Sequence, residues 1–202
     1  PAPDMWYSGT SINYYYFGHL ITAVLIKISN ITPSIGYNLM LASIFGLTLT
    51  SVLSLVINVF DNKKLSLKSS IAGILSASLV SLSGNLTSIY AFFKAYVPAD
   101  SPVPFWQLPF LPLSFPNGFW YPNATRFIQY TIHEFPLYSF VVSDLHGHVL
   151  DIPIVLLSIA VVFTILLENK IRIIYVVFIS FLIAVMYMTN AWDGIIYALL
   201  SV

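Results

Sequence analysis

Four long runs without a charged residue limit the folds open to this chain more than any other feature of its sequence. They lie between Lys27 and Asp61, Lys68 and Lys94, Asp151 and Glu168, and Arg172 and Asp193, and contain 33, 25, 16 and 20 residues. About 20 apolar residues are enough for a helix to cross the hydrocarbon core of a membrane. The runs therefore predict transmembrane helices at 34–60, 67–94, 149–167 and 171–190.

The composition fits helices that are surrounded by lipid. Of the 202 residues, 58% are hydrophobic and 8% are charged, whereas a soluble domain carries about 25% charged residues. This scarcity excludes a soluble enzyme, and eight basic residues against eight acidic ones provide no basic patch for a nucleic acid. The absence of cysteine excludes disulfides, thiolate metal sites and cysteine nucleophiles. The sequence predicts an all-α, polytopic transmembrane helical bundle.

Both ends of the chain are typical of an internal piece of a longer protein. A fifth apolar segment follows Asp193 and reaches the end of the chain after nine residues, which are too few to cross a membrane. The chain starts with Pro1, in a loop-like segment, rather than with methionine. We therefore expect a fragment with about four complete spans and a partial fifth.

The apolar stretch from Tyr14 to Ile28 is predicted to be helical but short. Its 15 residues would reach only about 22 Å as a helix. Tyrosine is enriched at the headgroup level of membranes, so Tyr14, Tyr15 and Tyr16 favour a helix that lies in the interface. A short tilted span is the alternative.

The basic residues of the short loops predict the orientation. The loops 61–68 and 168–172 are basic and are separated by two spans, and Lys and Arg prefer the cytoplasmic side. We therefore expect an integral plasma-membrane protein with residues 1–33, 95–148 and about 190–193 outside. The predicted organisation is one transmembrane domain over 1–202, with a helix pair at 34–94 and further helices at 149–202.

The long outer loop at 95–148 is rich in proline and aromatic residues. Residues 98–122 contain seven of the twelve prolines, together with several Phe, Trp and Tyr residues. A disordered linker would be polar and poor in aromatic residues. We expect this loop to lie on the membrane surface or to cover a site.

Acids and histidines are predicted to gather on the outer side. In the expected topology, six of the eight acids and all four histidines lie there, most densely between residues 133 and 151. Ionisable groups near a bilayer are costly and by default mark functional sites. An extended Asp144-x-His146-x-His148 would point three ligands to one face for a divalent cation. A helix would instead align Asp144, His148 and Asp151.

Each of these residues also has a purely structural interpretation. The Asp-His-His set is also typical of a hydrogen-bonded cluster without metal, and Asp151 is also typical of a helix cap before Pro153. Asp4, beside Trp6 on the loop before the tyrosines, is either a general base or a turn residue.

Three further polar residues are placed at the same predicted level. Asn190 and Asp193 close a span and either line the same cleft or cap a helix. Arg126 is the one outer arginine, suited to a phosphate or carboxylate, or to a lipid headgroup.

Five motifs occur together in a characteristic order. They are Asn13–Gly18 (NYYYFG), Gly84–Leu86, Glu134–Pro136, Ser143–Val149 and Thr189–Asp193. In this order they resemble the YYY-type membrane protein family of archaea and chloroflexi, a domain of unknown function named for its tyrosine triplet. The family's outer loop tends towards Trp-x-Pro-Ser-Arg, and the stretch from Trp120 to Arg126 is longer here. The arrangement is similar to the GT-C glycosyltransferase superfamily.

This resemblance implies a glycosyltransferase that uses a polyprenyl-phosphate sugar donor at the outer membrane face, with membrane lipid and a lipid-linked sugar as partners and no nucleic acid. It implies catalytic roles for Asp4, Glu134 and Asp144, substrate contacts from Tyr14, Tyr15, Tyr16, Arg126, Asn190, Trp192 and Asp193, and a divalent cation (Mg²⁺ or Mn²⁺) on Asp144, His146 and His148.

Two other classes of function stay open. A transporter or lipid flippase would use the outer carboxylates and histidines as a relay, but it calls for polar residues at mid-membrane depth and for repeated halves. The spans offer mainly Ser, Thr and scattered Asn, and no inverted repeat is evident. A metal-dependent hydrolase at the outer face would share the Asp-His-His site.

Overall fold

Helices dominate the computed structural model, which describes residues 2–60, 66–84, 125 and 130–202. These residues form α1 (Phe17–Ser29), α2 (Pro33–Phe60), α3 (Leu67–Leu82), α4 (Pro136–Val142), α5 (Gly147–Glu168), α6 (Ile173–Thr189) and α7 (Ala191–Leu200). Within the described ranges no strand forms, and one isolated antiparallel bridge joins Pro3 to Ser11. The predicted all-α class is confirmed.

Two of the helices are long and apolar enough to cross a membrane. They are α2, with 28 residues, and α5, with 22 residues. At 1.5 Å per residue they extend about 42 Å and about 33 Å, respectively, against a hydrocarbon core of about 30 Å. Large apolar side chains such as Leu75 on α3 and Phe181 on α6 are exposed, as expected for helices that face hydrocarbon rather than water.

The predicted spans agree with the helices where both can be compared. The spans at 34–60, 149–167 and 171–190 correspond to α2, α5 and α6, and the expected interfacial helix corresponds to α1. The span predicted at 67–94 corresponds to α3, which ends at Leu82, and residues 85–94 lie outside the described ranges. The partial fifth helix begins at Ala191, before Asp193 rather than after it.

The predicted outer loop at 95–148 includes one helix that the sequence did not predict. This helix is α4, which has seven residues and starts at Pro136, where a proline costs no hydrogen bond. The proline-rich and aromatic stretch at 98–122 lies outside the described residues.

The described chain forms two compact units, and the prediction of one domain over 1–202 stays a prediction. Unit 1 consists of residues 1–40 and 146–202, and unit 2 of residues 41–145. Unit 1 contains α1, the start of α2, α5, α6 and α7. Unit 2 contains the rest of α2, α3 and α4.

In unit 1, α5 and α6 are consecutive helices that pack against each other and against α1 and α7. Gly18 on α1 makes this approach possible, because a Cβ there would lie 2.7 Å from Leu150 on α5 and 3.1 Å from Thr189 on α6. The first turns of α1 and α5 therefore meet the last turn of α6. The name "junction end" is used below for this end of unit 1.

The opposite end of the pair α5 and α6 carries an ion pair. Arg172 lies 3.1 Å from the Glu168 carboxylate, and the Tyr175 hydroxyl donates a hydrogen bond of 3.0 Å to the same carboxylate. Asn169, in the link between the helices, adopts a left-handed conformation with φ 48°, which asparagine tolerates better than most residues.

In unit 2, close helix packing depends on a glycine and on aromatic contacts. A Cβ at Gly73 on α3 would lie 2.7 Å from Leu53 on α2. The rings of Phe45 and Phe140 meet edge to face, with centroids 4.9 Å apart. These contacts hold α3 and α4 against the second half of α2.

Candidate functional site

Two tyrosines and two histidines form a continuous hydrogen-bonded chain at the junction end of unit 1. The Tyr14 hydroxyl donates to the Tyr15 hydroxyl over 2.6 Å and lies 3.1 Å from His146 Nε2. The Nδ1 atoms of His146 and His148 are 3.0 Å apart. The name "tyrosine–histidine chain" is used below for these four residues. The two tyrosines and the two histidines are more than 130 residues apart in the sequence.

The ends of two helices hold the chain in place. Tyr16 is the N-cap of α1, which places Tyr14 and Tyr15 just before that helix. His146 is the N-cap of α5, and His148 lies in its first turn. The position between the two histidines, Gly147, accepts only glycine without a shift of its neighbours. A Cβ there would lie 2.6 Å from both the Thr189 carbonyl oxygen and the Tyr15 ring.

The hydrogen bonds assign a direction to the chain. With the Tyr14 hydroxyl donating to Tyr15, the Tyr14 oxygen can accept from His146 Nε2 in the tautomer that carries its hydrogen on that nitrogen. In a neutral imidazole the other nitrogen is an acceptor, so His146 Nδ1 accepts from His148 Nδ1. This tautomer assignment follows from the network rather than from observed hydrogens. In that tautomer the chain donates towards Tyr15, and the Tyr15 O–H group is then available to a further acceptor.

A cleft of about 510 Å³ lies beside the chain, within unit 1. The tyrosine triplet lines it together with Asn13, Tyr187 and Met188. The cleft offers hydroxyl and amide groups among aromatic and aliphatic walls, a combination typical of sites for small molecules.

The break between α6 and α7 brings further polar groups to the junction end. Asn190 separates the two helices with φ −149° and ψ 103°, and its Nδ2 donates to Asp193 Oδ2 over 2.7 Å. Asp193 lies in the first turn of α7, where a negative charge is favourable. Trp192, predicted to bind substrate, is 72% exposed.

Asp151 is the residue that sequence reasoning underrated. It lies inside α5, is 0% exposed, and neither carboxylate oxygen has a hydrogen-bond partner among the described residues. Asp193 is close enough to interact with it electrostatically. Asp151 does not cap a helix, because α5 begins four residues earlier, at Gly147. The available signal was an acid next to a charge-free apolar run.

Asp4 has a local structural role in the loop before α1. Its Oδ1 accepts hydrogen bonds from the backbone N–H groups of Trp6 at 2.7 Å and Tyr7 at 3.1 Å. Its own N–H group donates to the Thr10 carbonyl. This arrangement agrees with the alternative interpretation of Asp4 as a turn residue. Its role as a base stays a prediction.

The remaining predicted residues lie in unit 2 or outside the described ranges. Glu134 is exposed just before α4, and Asp144 follows that helix, where its N–H group donates to the Ser139 carbonyl. The helical set of Asp144, His148 and Asp151 does not form, because α5 starts after Asp144. Arg126 lies outside the described residues.

His146 and His148 are also two of the three predicted ligands of the divalent cation. Their Nδ1 atoms are hydrogen-bonded to each other over 3.0 Å, so they could be ligands of one ion only in place of that hydrogen bond. Imidazole nitrogen suits ions such as Zn²⁺, whereas Mg²⁺ prefers oxygen. Within the donor set of these two residues, Mn²⁺ fits better than Mg²⁺, and the cation itself stays a prediction.

The comparison with family models identifies the chain. The model of the family described as "Uncharacterized membrane protein (DUF2298)" matches residues 1–202, so the chain belongs to that family and is a membrane protein. No curated protein and no solved structure matches it.

Proposed function

We propose that this member of the DUF2298 family is a membrane glycosyltransferase that transfers a sugar from a polyprenyl phosphate at the extracytoplasmic face of the plasma membrane. The observation that carries the proposal is the tyrosine–histidine chain, which ends at Tyr15, a residue that lines a cleft at the junction end. A lipid-linked phosphate would reach such a cleft from the bilayer.

Sugar transfer from a phosphate needs a hydrogen-bond donor on the leaving group. The acceptor hydroxyl attacks the anomeric carbon, the bond from that carbon to the phosphate oxygen breaks, and negative charge develops on the phosphate. An O–H donor that is already oriented stabilises such charge. Because hydrogen bonds in a series polarise one another, His148, His146 and Tyr14 would strengthen the donation from Tyr15.

Other residues have supporting roles in this proposal. Asn190 and Asp193 would orient the sugar hydroxyls, while Tyr16 and Trp192 would pack against the sugar ring. Arg126 would neutralise the phosphate, and Asp4 would take the proton of the acceptor hydroxyl. In place of the hydrogen bond between their Nδ1 atoms, His146 and His148 could hold a Mn²⁺ ion, which would add positive charge near the phosphate.

Transfer in liposomes tests the proposal. The purified chain is reconstituted with a radiolabelled polyprenyl-phosphate hexose and a hydroxyl acceptor, and product is counted. We expect Tyr15→Phe and His146→Ala to lower kcat by about 100-fold, as for the loss of one donor to a developing anion. The matched controls are Tyr175→Phe, at the opposite end of α6, and His19→Ala, an exposed residue of α1. Full activity in Tyr15→Phe and His146→Ala would overturn the role of the chain.

Asp4→Asn distinguishes a role of the Asp4 charge in catalysis from the role of its side chain in the turn. Asparagine keeps the Oδ1 acceptor for the N–H groups of Trp6 and Tyr7, so the loop should persist. Loss of transfer in Asp4→Asn, with unchanged membrane insertion and thermal stability, would support a role as base. Unchanged transfer would leave Asp4 with the turn alone.

A transporter is the second candidate, favoured by one observation. Asp151 is a fully buried acid within a helix that is long enough to span a membrane, and such acids often belong to ion or proton pathways. Reconstituted vesicles that show ion-dependent solute uptake without sugar transfer would favour this class over the glycosyltransferase.

A further inference from the structure

We propose that Asp151 and Asp193 bind a hard cation where α5 meets the break between α6 and α7. The site uses no residue of the tyrosine–histidine chain, and its test does not depend on sugar transfer. The site would take an ion such as Ca²⁺ or Mn²⁺ through oxygen ligands. Neither acid belongs to the extended set of Asp144, His146 and His148. The helical alternative predicted from the sequence included Asp151, together with Asp144 and His148, but not Asp193.

The first argument is the state of Asp151. Its carboxylate is 0% exposed, and in the charged form neither oxygen has a hydrogen-bond donor among the described residues. A buried carboxylate without a partner is costly, so proteins pair such groups or place them on metal ions. The charged group that acts on Asp151 is Asp193, which is another acid. Two acids this close need a bound cation or a shared proton between them, and the proposal is the cation.

The second argument is the set of oxygen atoms around them. Asn190 uses its Nδ2 to donate to Asp193 Oδ2, which leaves the amide oxygen as an acceptor. The Thr189 carbonyl oxygen lies at the first turn of α5, 2.6 Å from a Cβ built on Gly147. Carboxylate, amide and carbonyl oxygens are the ligands that hard cations prefer.

The third argument is the interruption of the helix. The last turn of α6 ends at Asn190, where the backbone turns out of the helical conformation. The C-terminal end of a helix carries a partial negative charge, and in membrane proteins broken helices use such ends and their carbonyl groups to coordinate cations. Because α6 and α7 break beside two acids, this junction has the features of such a site.

Mn²⁺ binding to the purified 202-residue chain in detergent tests the proposal. After treatment with a chelator, Mn²⁺ is titrated by electron paramagnetic resonance, and Tm is measured with and without the ion. Besides the ion proposed for the histidines, we expect one Mn²⁺ that Ca²⁺ displaces, since Ca²⁺ prefers oxygen ligands, and a Tm that rises with Mn²⁺ concentration, because an ion that binds only the folded state stabilises it.

Variants locate the ion. We expect Asp151→Asn and Asp193→Asn each to weaken Mn²⁺ binding at least tenfold. Asp193 is only partly buried, so its variant tests the site even where Asp151→Asn fails to fold. Glu168→Gln, an acid at the other end of α5, should bind as the wild type does. The double variant His146→Ala/His148→Ala should also keep the Mn²⁺ ion.

Three results would overturn the proposal. The first is a wild-type chain that neither binds Mn²⁺ nor gains Tm with Mn²⁺ or Ca²⁺. The second is Mn²⁺ binding that persists in both Asp151→Asn and Asp193→Asn. The third is binding that is lost only with the histidines. Absence of binding together with a raised Tm in Asp151→Asn would show that a shared proton, rather than a cation, joins the two acids.

Discussion

Gly147 is the residue on which the closeness of the tyrosines and the histidines most directly depends. A Cβ there would lie 2.6 Å from the Thr189 carbonyl oxygen, and backbone atoms in packed helices do not move aside cheaply. We expect Gly147→Ala to lower the free energy of unfolding by about 1–3 kcal/mol, the usual cost of overpacking. Thermal unfolding in detergent measures the loss.

Gly46 provides the matched control for this substitution. It also lies within a helix, α2, but no described atom lies within 4 Å of a Cβ built there. Gly46→Ala should therefore raise the free energy of unfolding by about 0.5–1 kcal/mol, because alanine is the better helix former. Equal effects of the two substitutions would mean that the close approach at Gly147 is not what limits stability.

At the scale of single residues, the sequence predicted which groups lie at the same level better than it predicted how they meet. It placed Tyr14, Tyr15, His146 and His148 at one level of the membrane, from charge and aromatic patterning alone. It did not join the tyrosines to the histidines, because their hydrogen bonds depend on a close approach between α1 and α5. The burial of Asp151 was also beyond reach, because it depends on where α5 begins.

At the scale of helices, the N-cap of α3 should make a measurable contribution to the free energy of unfolding. The Ser66 hydroxyl accepts a hydrogen bond from the Ser69 N–H group, and the Ser69 hydroxyl accepts one from the Ser66 N–H group, which forms a capping box. We expect Ser66→Ala to lower the free energy of unfolding by about 0.5–2 kcal/mol. Thermal unfolding of the purified chain measures the change.

Ser66→Asp is the companion variant for this helix. Aspartate caps a helix as well as serine does, and its charge is favourable at a helix N-terminus. Its unfolding free energy should equal or exceed that of the wild type. A loss in Ser66→Asp as large as in Ser66→Ala would show that the capping bond does not stabilise α3.

The helix ends were predictable to within a few residues wherever charged residues flank an apolar run. The run predicted at 149–167 became α5 at Gly147–Glu168, and the one predicted at 171–190 became α6 at Ile173–Thr189, because charged and polar ends stop at the membrane surface. The helix α4 was not predicted, since its seven residues are too few to show a helical period. Asn190 was assigned to the end of a span, and the immediate start of α7 could not be deduced from it.

At the scale of the whole molecule, the two ends of the pair α5 and α6 differ in chemistry. The junction end has two histidines, two tyrosines and the acids Asp151 and Asp193, whereas the opposite end has Glu168 paired with Arg172, beside Lys170. Basic residues next to a span resist transfer across the membrane. This difference is what assigns the junction end to the outside in the proposed orientation.

The absence of cysteine from the chain makes this orientation directly testable. Single-cysteine variants can be labelled in intact cells with a maleimide that does not cross membranes. We expect Ser8→Cys, in the exposed loop before α1, to react in intact cells. Ile171→Cys, which is 78% exposed in the link between α5 and α6 and keeps both neighbouring basic residues, should react only after permeabilisation.

Leu157→Cys, in the middle of α5, is the control for burial in the membrane. Its side chain is partly exposed in the isolated chain, so a lack of reaction under both conditions would be due to lipid around α5. The reverse pattern for Ser8→Cys and Ile171→Cys would place the junction end in the cytoplasm. The sugar donor would then have to be one available on the cytoplasmic side, because the cleft beside Tyr15 lies at that same end.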